Sequence, residues 1–131
     1  MKKIIYTFLL LLFIGAFTNE IFAQTNWKAP IEADIMVNPL SGDADSVKKG
    51  KKVYTQMCVI CHGAKGKGDG IASASLNPKP ANFIEANIQE QTDGAIFWKL
   101  TNGKAPMAAY KDILSETQRW ELVNYIRTFK K

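Results

Sequence analysis

Only two cysteines and one histidine occur among the 131 residues, and those shortages exclude a good deal. The cysteines are Cys58 and Cys61, and the histidine is the next residue, His62. A disulfide scaffold needs several pairs spread through the chain, and a structural zinc site needs about four Cys or His ligands; neither can be assembled here. A metal site held by two imidazoles of one chain is equally impossible. No segment reads as a convincing strand and no internal repeat is visible, so the pattern points to an all-α domain rather than a sandwich, a βαβ unit or a solenoid. No apolar run reaches the ~20 residues of a membrane-spanning helix. The formal charge of +5 is modest, and its lysines are scattered without the aromatic interleaving of a single-strand nucleic-acid platform.

What is present begins with a leader pattern. Met1-Lys2-Lys3 is basic, Ile4 to Phe17 is apolar apart from Thr7 and Gly15, and Thr18-Asn19-Glu20 turns polar before Ala23. That is the layout of a secretory signal peptide over residues 1–23, and it implies export to the periplasm. Its removal lowers the formal charge from +5 to +4. Residues 24–44 follow as an irregular N-terminal extension containing Pro30, Pro39 and Gly42, and residues 45–131 form the main domain.

The string Cys58-Val59-Ile60-Cys61-His62 carries the chemistry. In an exported chain two cysteines would ordinarily pair, yet the adjoining histidine makes this the attachment signature of c-type haem. Both thiols add to the haem vinyl groups as thioethers, and the imidazole meets the iron from the same side. The rival readings are a thioredoxin-like dithiol, half a zinc site, or a short disulfide in a turn. The first lacks a strand–helix alternation around it, and the second lacks further ligands. Gly63 to Gly70 is glycine-rich but follows no strand, which argues against a phosphate cradle.

Helical periodicity places the rest. A helix starting near Asp45 or Ser46 puts Val47, Gly50, Val53, Tyr54, Met57, Cys58 and Cys61 on one face and Lys48, Lys49, Lys51, Lys52, Thr55 and Gln56 on the other. Gly50 on the apolar face costs roughly 1 kcal/mol relative to alanine, so a second helix should cross closely there. Another helix is expected from Thr92 or Asp93 to Thr101, closed by Gly103. The last begins at Ser115, with Gln118 completing a capping box. Its stripe is Leu122, Tyr125, Ile126 and Phe129, with Glu121, Asn124, Arg127 and Thr128 opposite and Trp120 off the stripe, covering the adjoining loop.

Across roughly residues 46–129 this order of parts resembles the class I cytochrome c family. The resemblance rests on Gly50-Lys51-Lys52-Val53-Tyr54 before the haem motif, a loop around Met107, and Leu122-Val123-Asn124-Tyr125-Ile126 in the closing helix. It implies the cytochrome c fold, three to four helices around one covalently attached haem, with first and last helices crossing. The matching positions are Gly50 and Tyr54 against Leu122 and Tyr125. It further implies that a proline carbonyl after the motif accepts the second N–H of His62. Pro78 and Pro80 are both eligible; Pro80 is preferred, because Phe83 just beyond it could then line the haem.

With His62 unique, the second axial ligand falls to Met107, in the loop Gly103 to Tyr110. Met36 belongs to the extension, and Met57 adjoins Cys58 on the attachment side. Lysine or water is the reserve sixth ligand. Thioether ligation favours ferrous iron and closes the site to small molecules, leaving electron transfer. An open sixth position would instead suggest a haem enzyme or sensor, through peroxidase chemistry or gas binding. The expected protein is therefore an electron carrier and not an enzyme. Its partners are redox proteins, met as a soluble carrier or as a subunit docked on a respiratory membrane complex. No nucleic acid and no small-molecule substrate are expected. Trp98 and Tyr110 are expected to pack near the ring. Lys65, Lys67, Lys104 and Lys111 should border the exposed haem edge and steer an acidic partner. The strings Trp27 to Pro30 and Asn38-Pro39-Leu40 resemble the lead-in of monohaem subunits of alternative complex III, which favours docking.

Overall fold

The computed structural model describes residues 27–130; the leader pattern of residues 1–23 lies outside them. Helix α1 is a single turn, Ile31–Asp34, and α2 runs Ala44–Met57. A second single turn, α3, spans Val59–His62 and carries most of the haem motif. After a 3-10 turn at Ser73–Ser75 come α4 (Ala86–Gln89), α5 (Asp93–Asn102) and α6 (Glu116–Arg127). No strand forms among the described residues, and the chain has the all-α cytochrome c fold.

Each long helix begins where a side chain can satisfy an orphan N–H. Asp43 caps α2 by accepting from Asp45 N, two residues ahead of the earliest expected start. Thr92 caps α5 through Ala95 N, and Gly103 closes it at φ 60°. Ser115 and Gln118 form the reciprocal capping box of α6.

The core is built on the crossing of α2 and α6. Gly50 lies against the Glu121 carbonyl, where any Cβ would collide with backbone, and Tyr125 Cβ closes the other side. Around that contact Tyr54 is buried, and Leu122 and Val123 retain 0% exposure. Burying side chains of this size contributes about 1.5–3 kcal/mol each. Tyr54 packs its ring 5.1 Å from Tyr125 and 5.4 Å from Phe129.

The polar face expected on α6 is not a solvated face. Glu121 and Asn124 are both buried, because α6 is wedged between α2, α5 and the N-terminal extension. Glu121 faces Lys49 Nζ at 3.9 Å, and Asn124 is fully hydrogen-bonded. Asn124 donates to the Leu40 carbonyl and to Ser46 Oγ, and accepts from Asn38 Nδ2 at 2.7 Å. Arg127 donates to Asp93 Oδ1 at 2.7 Å and to the Gln89 and Gln91 carbonyls. Trp120 does not cover a loop either. It is 3% exposed and stacks on Phe97 with centroids 3.9 Å apart.

The extension is likewise more ordered than an irregular lead-in. Ala33 of α1 is buried where α1 meets Gly94 of α5, and Thr92 donates to Asp34. Asn38 reaches both Asp93 and Asn124, and Lys99 lies 5.4 Å from the centroid of the Trp27 ring. Residues 27–43 thus form a strap along α5 and α6.

Candidate haem attachment site

Cys58 ends α2 and begins α3, so the motif turns a tight corner. The Cys58 N–H donates to Tyr54 O, and its carbonyl accepts from the N–H groups of Cys61 and His62. Cys58 is buried, Cys61 half-buried, and the two are not joined. Burial first, and then the neighbouring Cys61, pushes the Cys58 thiol up to about 12. A redox dithiol needs its attacking cysteine lowered toward neutrality, so this environment opposes the thioredoxin-like reading. Among the described residues no three His, Cys, Asp or Glu side chains gather to hold a metal ion.

The glycine-rich loop has a structural task. Its N–H groups return to the free carbonyls at the end of α3: Gly68 to His62, Gly70 to Cys61 and Ala72 to Ile60. At Gly70 a Cβ would lie 2.5 Å from the Val59 oxygen, so only glycine lets the loop approach this closely. The loop caps the motif and leaves its donors no anion to cradle.

His62 is buried, and its Nδ1 lies 3.1 Å from the Ala81 carbonyl. The acceptor is therefore Ala81 rather than Pro80 or Pro78. Pro80 precedes it, and its own carbonyl lies against Gly68, which tightens the loop so that the next carbonyl faces the imidazole. A carbonyl can only accept, so Nδ1 carries the proton and Nε2 keeps the lone pair, as a ligand imidazole requires. Burial lowers the His62 pKa, and the Ala81 hydrogen bond opposes that shift. Phe83 is buried, with its ring stacked on the imidazole at 4.4 Å and 15°.

Met107 is half-buried in the loop after α5, where it pairs with Lys104 through two backbone hydrogen bonds and packs on the cluster containing Cys58. Tyr110 ties that loop to α5 by donating its N–H to Leu100 O. Its phenol is pushed up to about 12, chiefly by burial and then by Cys58 and Cys61. Trp98 is half-buried, whereas Lys65, Lys67, Lys104 and Lys111 are exposed. Met57 packs on the core and Met36 stands in the strap. Ala81 and Gln89 were not among the residues that the sequence singles out, and Asn38 entered only within the string Asn38-Pro39-Leu40, not as a buried hydrogen-bonding residue. Backbone acceptance leaves no residue signature, and the two amides act through partners far along the chain.

These residues suit a c-type haem: a lone-pair nitrogen aimed by a carbonyl, two unjoined thiols on one turn, and a soft sulfur in a loop packed on the core cluster that contains Cys58. Comparison with known proteins agrees. Residues 45–126 match the family described as cytochrome C oxidase, cbb3-type, subunit III. The chain is 33% identical over 94 residues to cytochrome c6 of Rippkaea orientalis, covering 70% of this chain and 78% of that protein. It is 31% identical over 85 residues to cytochrome c6 of Cladophora glomerata, covering 64% and 89%. Among solved structures it is similar to a chain of the Kuenenia stuttgartiensis reducing HAO-like protein complex, with a TM-score of 0.62 and 26% identity. That match covers 71% of this chain but only 47% of the other. The KustC0563 c-type cytochrome matches with a TM-score of 0.54 and 30% identity over 63% of this chain and 98% of the other.

The fold and the site define a haem protein built for electron transfer rather than a dithiol enzyme or a zinc domain. The chain belongs to the cytochrome c family, as a class I monohaem c-type cytochrome, and its cofactor is covalently bound haem c. Among the described residues no helix is long and apolar enough to cross a membrane.

Proposed function

We propose that the protein is an exported, periplasmic electron carrier in which His62 and Met107 are the axial ligands of the haem held by Cys58 and Cys61. A haem so ligated supplies a one-electron ferric–ferrous couple with a potential raised by the thioether. The observation that carries this reading is the buried His62 imidazole, held by the Ala81 carbonyl directly after two unjoined cysteines, with Met107 packed on the same core cluster as Cys58.

The remaining residues orient and shield. Ala81 holds the imidazole tautomer, and Tyr54 donates to the Gly63 carbonyl at 2.7 Å, securing the residue after the ligand. Leu100, buried on α5, anchors the Tyr110 N–H and thereby the loop that carries Met107. Exposed Lys65, Lys67, Lys104 and Lys111 would steer an acidic redox partner toward this end of the molecule. The strap leaves Ile31, Ile35 and Val37 exposed, and that apolar surface supports docking on a larger respiratory assembly in preference to purely free diffusion. Residues 1–23 would direct export and then be removed.

The test is spectroscopic. An alkaline pyridine haemochrome of the purified protein should show one c-type haem per chain, and ferric protein should show the methionine-to-iron charge-transfer band in the far red. Met107→Ala should abolish that band and lower the potential. Persistence of the band in the variant removes Met107 from the iron.

A further inference from the structure

The Phe83 ring lies flat against the His62 imidazole. The rings stack at 4.4 Å with 15° between their planes, whereas Tyr54 meets Phe83 edge-on at 6.3 Å and 63°. A hydrogen bond from Nδ1 to the Ala81 carbonyl fixes one atom of the imidazole. It leaves the ring able to roll about the line joining that atom to its acceptor. A parallel aromatic wall removes that roll, because any rotation drives the imidazole edge into the neighbouring face.

The wall is itself held in place from several directions. The Phe83 N–H donates to Gly66 O at 2.7 Å, and its carbonyl accepts from Gln89 Nε2 at 2.6 Å. The same Gln89 amide donates to the Ile126 carbonyl at 3.0 Å, and the Gln89 backbone carbonyl accepts from Arg127. Phe129, just beyond α6, lies 6.2 Å from the Phe83 ring with 24° between their planes. The closing helix therefore reaches the imidazole through Gln89 and Phe83, without touching it.

We infer that Phe83 is a positioning residue that sets the rotational angle of the His62 imidazole, as opposed to a residue that merely lines the haem. The inference rests on His62 being the proximal ligand. The angle of an axial imidazole decides how its π orbitals overlap the iron d orbitals, so it is written in the paramagnetic spectrum of ferric iron. Volume alone would not set it, and leucine and phenylalanine are therefore not equivalent at this position.

The experiment uses ferric holoprotein and reads the order of the haem methyl resonances by proton NMR, the ferric g values by low-temperature EPR, and the midpoint potential. Phe83→Leu keeps an apolar side chain but loses the plane; it should reorder the methyl resonances and shift the largest g value. Phe83→Tyr keeps the plane and should retain the wild-type order. Phe97→Leu, which removes the ring stacked on Trp120, should leave both signatures in place. If Phe83→Leu keeps the wild-type methyl order and g values, or if Phe97→Leu moves them equally, the inference is overturned. His62→Ala separates the underlying reading: if the low-spin ferric signature survives that change, His62 is not the ligand and the failure lies there.

Discussion

Replacing Gly50 with alanine tests the α2–α6 crossing directly. A Cβ at this position would lie 2.5 Å from the carbonyl carbon of Glu121 and 3.0 Å from Tyr125 Cβ, and it would run into the Glu121 oxygen. Ordinary contact begins near 3.4 Å, and the Glu121 oxygen is nearer still than its carbon, so the helices must part by more than about 1 Å. The obstacle is backbone, which cannot swing aside as a flexible side chain would. Such overpacking costs about 1–3 kcal/mol, and the separation also loosens Leu122, Tyr54 and Ile126, which places Gly50→Ala near ~3 kcal/mol. Alanine returns about 0.5–1 kcal/mol through helix propensity. The net loss is then about 2 kcal/mol, or a fall in Tm of roughly 8–16 °C for a domain of this size. Far-UV circular dichroism of ferric holoprotein during heating measures it. Lys52→Ala, on an exposed position of the same helix, should stay within about 0.5 kcal/mol of wild type. An unchanged or raised Tm in Gly50→Ala would mean that the helices do not meet at this glycine, and the account of the core would fail with it.

Other outcomes follow from the same contacts. Asn124→Ala strands the Leu40 carbonyl, Ser46 and Asn38 together and should cost about 2–3 kcal/mol, with residues 38–46 losing hydrogen-exchange protection before α5 does. Ser115→Ala removes one half of the capping box and should cost about 1 kcal/mol by denaturant titration. The Tyr54 phenol is raised above its ordinary 10.0, first by burial and then by Cys58, Tyr125 and Asp69. Its contribution is therefore intact below pH 10 and is lost as pH rises further, because the unfolded phenol ionises first. Stability measured between pH 9 and pH 11 should steepen by about 1.4 kcal/mol per pH unit above 10, and Tyr54→Phe should flatten that slope while lowering the baseline.

Much of this was legible from local chemistry. A helix end advertised by Ser115 and Gln118 appears where the capping box puts it, since both partners lie within four residues. Thr92 and Gly103 mark α5 for the same reason. A glycine on an apolar helical face demanded a close neighbour, and Glu121 supplies it. What stayed hidden depends on distant partners. Asn124 has the look of a solvated residue until Asn38 and Leu40 are brought to it from the strap. Trp120 leaves the stripe because α6 has a second apolar neighbour, Phe97, which helical periodicity cannot reveal. The single turns α1 and α4 are too short to show a period. In the site, Ala81 acts through a backbone oxygen common to every residue type, so only the path of the loop selects it over Pro80.

The junction at Asn124 also bears on the order in which the molecule can complete itself. Its partners Ser46, Leu40 and Asn38 lie 78, 84 and 86 positions earlier in the chain. A chain emerging amino end first therefore displays Leu40 and Ser46 without their Asn124 partner until the last helix arrives. The strap can dock on α5 through Ala33 and Asp34 before α6 exists, and a chain stalled there would carry its haem motif with Leu40 and Ser46 still unmoored.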